Sequence, residues 1–342
     1  MTPLVLIVAV LVGLAAAAGT GWLRQHALRS RWLDVPNARS SHSTPTPRGG
    51  GLAIVAGASA GLSVLAALGE VDRALWLALV PGGIAVAAVG FIDDRRSLAP
   101  SLRLAVHVGA AAFALAVLGG VPPLQFGASV VDLGWAGHLL GLLAIVWTLN
   151  LFNFMDGIDG IAASEAVFIM GVAVALALCT TSPGTAHAAA LVLAAACLGF
   201  LAWNWPPARI FMGDVASGYL GYAIAVLALA AGRDQPHAPL LWLALGSAFF
   251  ADATTTLARR MLRGEPIHEP HRLHAYQHLA RRWRSHGSVT GGLLAANLAW
   301  SAPLAALGAL RPAFAAGAAA VALTGWLVVV TIAGAGRLES QE

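Results

Sequence analysis

Apolar runs long enough to cross a bilayer, about 17–25 residues each, recur from one end of this 342-residue chain to the other. Eleven are placed at roughly 3–23, 49–68, 74–92, 103–119, 136–154, 160–179, 186–203, 214–231, 239–257, 290–310 and 313–334. Only 11% of the residues are charged, against about 25% in an ordinary soluble domain. A chain this poor in charge cannot cover its surface in water, which excludes a soluble enzyme and a disordered protein. The expected fold is an all-α polytopic membrane protein of about eleven transmembrane helices, a single domain over 1–342. Cys179 and Cys197 lie in apolar stretches, so neither a disulfide framework nor a cysteine zinc site is indicated.

All 20 basic residues are arginine. The first run has no basic segment before it and arginines directly after it, which reads as a retained anchor with its N-terminus outside. That orientation leaves only Arg73, Arg233 and Arg311 facing outward and sends the other arginines inward. The sorting obeys the positive-inside rule and puts the C-terminus in the cytoplasm. Two connections have any size, about 24–48 and 258–289, and both face the cytoplasm. The basic charge balance then reflects inward anchoring and phosphate contact, and no nucleic-acid partner is expected.

Acidic residues are expensive in such a chain, so their positions are informative. Asp93 and Asp94 end the third run, Asp156 and Asp159 follow the fifth, and Asp214 opens the eighth. All five fall at the inner boundary. Converging carboxylates together with Asn150 and Asn153 suit a hard divalent cation such as Mg²⁺, which takes oxygen ligands and bridges carboxylates to phosphates. The competing explanation is that aspartates collect at helix ends as caps. Five on one face, four of them in close pairs, favour a site. Glu165 and Asp252 lie within runs, as satisfied interhelical groups or as site lining. Asp252, nearer the cytoplasmic end, is assigned to the lining, and Glu165 to neither.

His271, His274 and His278 are spaced i, i+3 and i+7, so a helix would present them on one face. His268 precedes them, and Arg259, Arg260, Arg263 and Arg272 surround them. A zinc His-Glu-x-x-His pattern fails, because after His268 and Glu269 the next histidine comes one residue too soon. Histidines among arginines read as donors to phosphate oxygens; the competing reading is a basic juxtamembrane helix held by anionic lipid. The first loop carries Arg39, His42, Arg48 and the triplet Gly49-Gly50-Gly51. Three glycines permit close backbone approach to a ligand, but the segment is no Walker A loop, and an ordinary turn into the second run is the better reading.

Taken in order from about Asp34 to His278, these motifs resemble the polyprenyl-phosphate N-acetylhexosamine-1-phosphate transferases of glycosyltransferase family 4. The resemblance implies an enzyme of the bacterial inner membrane with its active site facing the cytoplasm. Asp93 and Asp94 match the family's acidic pair near the metal and the lipid phosphate. Asn150, Asn153, Asp156 and Asp159 match its Asn-x-x-Asn-x-x-Asp-Gly-x-Asp-Gly motif. Asp214 matches the magnesium ligand of Phe-Met-Gly-Asp, with Asp156 as a second ligand, and Phe211 the aromatic that stacks on uracil. His271 and His274 match the histidine motif, in a form (His-x-x-His-Ala-Tyr-Gln) similar to members that initiate O-antigen or capsule synthesis and unlike the muramoyl-pentapeptide transferases. Arg39, Arg48, His42 and His278 are expected at the substrate. The implied cofactor is Mg²⁺, with Mn²⁺ as a substitute; the implied partners are undecaprenyl phosphate, a UDP-N-acetylamino sugar and the lipid bilayer, with a homodimer allowed. Two departures stand out: no aspartate follows Asp93 at the fourth position, and the chain has no lysine, so Arg39 or Arg48 must serve electrostatically where the family has one. The competing classes are a multi-pass transporter or lipid flippase with an acidic ion-coupling site, and a scaffold whose aspartates are dispensable.

Overall fold

A computed structural model describes residues 1–36, 44–180, 183–266 and 271–338. Helix α1 (Pro3–Ser30) starts behind Thr2, whose side chain accepts the Val5 N–H, and stops at Arg31 in the left-handed region. It runs seven residues beyond its expected end, because nothing before Arg31 interrupts the i→i−4 ladder, and the first loop is correspondingly shorter. A two-stranded ladder, β1 (Leu33–Asp34) with β2 (Thr46–Pro47), leads into α2 (Gly51–Ala67). Helices α3 (Arg73–Leu77) and α4 (Gly83–Asp93) are joined by a π turn around Pro81, which has no N–H to give to a regular turn. Next come α5 (Pro100–Leu118), a hairpin of β3 (Leu124–Phe126) and β4 (Ser129–Val131), α6 (Gly134–Met155), α7 (Ile161–Thr180), α8 (Thr185–Asn204) and α9 (Asp214–Asp234).

The ninth expected run is broken. Helices α10 (Ala238–Leu245) and α11 (Ser247–Leu262) meet at 68° on either side of Gly246. Ser247 Oγ donates to the Ala244 carbonyl and pairs with Ser301 across the bundle, holding the break in place. The short α12 (Ala275–Trp283) lies in the second large connection. A last pair follows: α13 (His286–Ala296), continued through a π turn into α14 (Ala302–Leu310), and α15 (Ala315–Ile332). Every expected apolar run is thus helical. Among the described residues nine helical stretches are long and apolar enough to cross a membrane singly; the bent α10–α11 pair is so only as a unit, and α2 is shorter.

Helix α9 sits at the centre, buried along nearly its whole length against α4, α6, α2 and α8. Lipid tails are as apolar as the helices, so close packing has to supply the attraction. Gly221 lets α9 approach the Thr148 carbonyl on α6, and Gly90 on α4 lies against the Asp214 carbonyl. The outer flanks, with Leu104 on α5 and Leu143 on α6 more than half exposed, are the apolar surface a bilayer would cover. A Cβ at Gly90 would run into backbone that cannot yield. Gly90→Ala should therefore lower stability by about 1–3 kcal/mol, read as a drop in the melting temperature in detergent. Gly109→Ala, where an added Cβ meets nothing within 4 Å, should cause no loss.

Candidate active site

The first turn of α9 has backbone N–H groups with no partner in their own helix. Asp94, just past the end of α4, supplies one from outside: its Oδ1 accepts from Asp214 N–H (3.0 Å) and its Oδ2 from Val215 N–H (3.2 Å). Arg48 reaches the same carboxylate at 2.9 Å and Asp214 at 3.4 Å. The Asp94 side chain is fully buried, whereas that of Asp214 is 28% exposed. Burial pushes the Asp94 carboxyl up to about 6; Arg48 opposes the shift and Asp214 adds to it. Asn153 on α6 hydrogen-bonds the Asp214 carboxylate and donates to Ser217 Oγ (2.9 Å).

Arg48 is delivered by a backbone zipper. Phe211 N–H donates to the Pro47 carbonyl (2.8 Å), Gly50 N–H to the Phe211 carbonyl (2.9 Å), and Gly51 N–H to the Met212 carbonyl (3.0 Å). The glycine triplet makes the turn into α2, with Leu52 N–H donating to the Gly49 carbonyl (3.2 Å) and Ala53 N–H to the Gly50 carbonyl (3.1 Å), and at the same time seats the loop on its neighbour. Side chains at Gly50 and Gly51 would strike Phe200, Ile210, Ala216 and the Met212 carbonyl, so glycine is what lets the first loop lie against the Phe211–Asp214 segment. Phe211 itself is half-buried there.

Asp156 lies at the C-terminal end of α6 and joins this group electrostatically. Burial first, then the neighbouring Asp214 charge, holds its carboxyl well above the usual carboxylate range, with Arg48 pulling the other way. Asp93 diverges from Asp94: its Oδ1 accepts from Leu98 N–H (2.7 Å) and its Oδ2 pairs with Arg103 (2.6 Å). Asp159 is a brace, accepting the Ala208 N–H (3.0 Å) and lying 3.2 Å from His286 Nδ1. Asn150 donates to the Val146 carbonyl (2.7 Å).

The histidine segment differs from its expected form. His271 and His274 precede α12 and only His278 is within it, so the three do not share a helix face. The cause is Asp252, which accepts the Ala275 and Tyr276 N–H groups at 2.9 and 3.1 Å and so starts the helix there. Asp252 is accordingly a cap before it is a lining residue. His274 is buried, 3.4 Å from Asp252, and His271 packs against it with ring centroids 4.9 Å apart. Burial, with help from His274 and Arg260, lowers His271 to about 3, so its ring is neutral at neutral pH. His278 Nδ1 lies 3.1 Å from Arg281. Tyr276 Oη donates to the Phe154 carbonyl (3.0 Å) and packs over Gly157, docking this segment on the Asn153–Asp159 motif. No ion pair joins the histidines to Asp94 or Asp214 among the described residues. Arg39 and His42, like His268, lie outside the described residues.

A groove of about 550 Å³ runs from this cluster between α4, α5, α6 and α9. Val86, Leu104, Leu143 and Trp147 make its apolar walls, and Asp93, Arg103, Asn150, Asn153 and Asp214 its polar end. Sequence reasoning used Arg103 only to orient the chain and did not single out His107, which also lines the groove. The signal was there: two basic-type side chains four apart in an apolar run stand on one helix face.

The donor set fits a hard cation. Three carboxylates, Asp94, Asp156 and Asp214, lie close enough to the Arg48 guanidinium to interact with it, and the exposed one of the Asp94–Asp214 pair, Asp214, is the one turned to the groove. Among the described residues no three His, Cys, Asp or Glu side chains form a complete metal cage. Asp214 and Asp156 would thus hold Mg²⁺ with water and substrate oxygens filling the remaining positions, as that ion commonly does.

Fold and site define an integral membrane protein with a cluster of acidic and basic side chains at the end of an apolar groove. Residues 76–232 match the profile of glycosyl transferase family 4. The chain is 31% identical over 271 residues to the probable undecaprenyl-phosphate N-acetylglucosaminyl 1-phosphate transferase of Bacillus subtilis (strain 168), covering 77% of this chain and 74% of that protein. It is 31% identical to a decaprenyl-phosphate N-acetylglucosaminephosphotransferase of Mycolicibacterium smegmatis, over 81% of this chain and 76% of that one. It is also 34% identical to a phospho-N-acetylmuramoyl-pentapeptide-transferase of Mycobacterium leprae, over 65% and 75%. The chain belongs to glycosyltransferase family 4, and is a membrane-embedded transferase.

Because Asp94 has a raised value in the folded protein, its neutral form favours folding; that contribution is complete below about 4 and lost as pH rises through about 6. Melting temperatures between pH 4 and 7 should therefore fall with pH more steeply in the unaltered protein than in Asp94→Asn.

Proposed function

We propose that this protein transfers an N-acetylamino-sugar 1-phosphate, from UDP-N-acetylglucosamine or a related UDP-sugar, to undecaprenyl phosphate. UMP leaves, and the product is the first lipid-linked intermediate of a cell-surface polysaccharide of the O-antigen or capsule kind. One observation carries the reading: an apolar groove flanked by the lipid-facing residues Leu104 and Leu143 ends at Asp214, Asn153 and the Asp93–Arg103 pair. A long isoprenoid fits the walls and its phosphate the polar end. The arginine distribution supports a site facing the cytoplasm, where nucleotide sugars are available, with the N-terminus outside.

In the reaction a lipid phosphate oxygen forms a bond to the β-phosphorus of the donor, and the bond from that phosphorus to the bridging oxygen breaks, with UMP leaving on it. The barrier lies mainly in bringing anions together, so positioning and charge neutralisation dominate. Mg²⁺ on Asp214 and Asp156 would neutralise the donor diphosphate. Arg48, balanced between Asp94 and Asp214, adds fixed positive charge beside it. Asp93 and Asp94 are already engaged, one with Arg103 and the other with the start of α9, and so position their neighbours. No strong base is required, because a phosphate monoester with a second pKa of about 6 is mostly dianionic at neutral pH. His271 and Phe211 lie on the two segments that would hold the nucleotide half, His271 as a neutral donor and Phe211 as a stacking surface.

Purified protein should release UMP from UDP-N-acetylglucosamine or a related UDP-amino sugar only when both Mg²⁺ and undecaprenyl phosphate are present. Asp214→Asn should cut turnover by at least about 10²-fold with an unchanged melting temperature. Inertness towards a panel of UDP-amino sugars, or transport of lipid without UMP formation in proteoliposomes, would overturn the reading.

A further inference from the structure

The chain leaves α15 through Gly334, in the left-handed region at φ +97°, and turns back onto the second large connection. Ala335 N–H reaches the Val330 carbonyl (2.9 Å), and the Ala335 side chain is fully buried in a small cluster with Ala275, Ala251 and Trp326. Gly336 N–H then donates to the Leu273 carbonyl (2.6 Å). Two arginines of α11 fix the same stretch, Arg259 donating to the Ala335 carbonyl (2.5 Å) and Arg263 to the Gly336 carbonyl (2.6 Å). Gly336 has φ +70°, and a Cβ there would lie 3.0 Å from Arg259 Cβ and 3.1 Å from the Thr256 backbone. Only glycine seats this turn without strain.

Leu273 and Ala275 are the chain neighbours of His274, and His271 packs on the His274 ring. Asp252 holds the backbone on one side, at Ala275 and Tyr276. Gly336 holds it on the other, between His271 and His274. A segment pinned on both sides presents its side chains already in place, so less ordering entropy is lost when a ligand arrives.

We propose that Gly336 and Arg259 are positioning residues for the nucleotide-sugar half of the site. The Gly334–Gly336 turn sets the place of His271 and His274 before substrate binds, and it acts through those histidines and not on the substrate itself. The inference rests on the reading that His271 meets the nucleotide sugar.

The test compares three variants of the full-length protein in detergent: Arg259→Met, which loses the donor, Arg259→Lys, which keeps one, and Gly336→Val. Without ligand, hydrogen–deuterium exchange over 271–276 should be faster in the methionine and valine variants. UDP, which carries the nucleotide half whatever the sugar, should bind them about tenfold more weakly by titration calorimetry. Arg259→Lys should restore most of both losses. In steady state the KM for the UDP-sugar should rise by a similar factor, with kcat and the KM for the lipid phosphate unchanged. If the valine variant does not fold, the two Arg259 variants are read alone. Unchanged exchange, unchanged UDP affinity, or an equal rise in both KM values would overturn the proposal while leaving the transferase reading intact. Weaker UDP binding in variants of a protein that forms no product would do the reverse, and an unaltered protein that binds no UDP would overturn both.

Discussion

The Asp94 carboxylate holds the centre of the protein together. It is fully buried, accepts two N–H groups from the first turn of α9, and pairs with Arg48. In a setting without water to solvate a helix end, those N–H groups need a partner, and the positive end of the helix dipole favours an anion. Arg48 then offsets a charge that burial alone would make costly. Three separate stretches of chain meet at this carboxylate, and the more accessible Asp214 is left facing the groove.

The same device recurs at the second large connection. Asp252, inside α11, accepts the first two N–H groups of α12 and so places His271 and His274. Asp159 braces the stretch between α6 and α7 against Ala208 and His286. The acids at this end therefore divide by role. Asp94, Asp159 and Asp252 act mainly on backbone, Asp93 on Arg103 and Leu98, and Asp214 and Asp156 interact through charge with each other and with Arg48. Of the two competing explanations in the sequence, caps are present at Asp94 and Asp252, and the site is the proposed reading of Asp214 and Asp156.

Much of this was legible beforehand. Long apolar runs dictate helices whatever their partners, and aspartates that cannot be buried cheaply mark helix ends, so the helices and the gathering of five aspartates at one end were foreseeable, but not that Asp93 would turn to Arg103 and Asp159 to Ala208 and His286. The break at Gly246 was not, because a bend inside a uniformly apolar run leaves no trace in hydropathy. The histidine helix was misplaced because periodicity cannot see a cap supplied from residue 252. Arg48 is expected at the substrate and in place of a missing lysine, but its position depends on a zipper to Phe211 and Met212 that no local pattern announces.

The zipper also bears on the order in which the chain can become functional. Asp94 finds its acceptor role 120 and 121 residues further along the chain, at Asp214 and Val215, and the first loop is pinned to Phe211 and Met212. During synthesis, then, the early helices enter the membrane with their terminal carboxylate and the glycine-rich loop unmatched. They are locked only when the eighth apolar run slides in among them. Maturation of the pocket is thereby tied to a late insertion event, and a truncated chain ending before that run would hold its acidic pair but have no pocket.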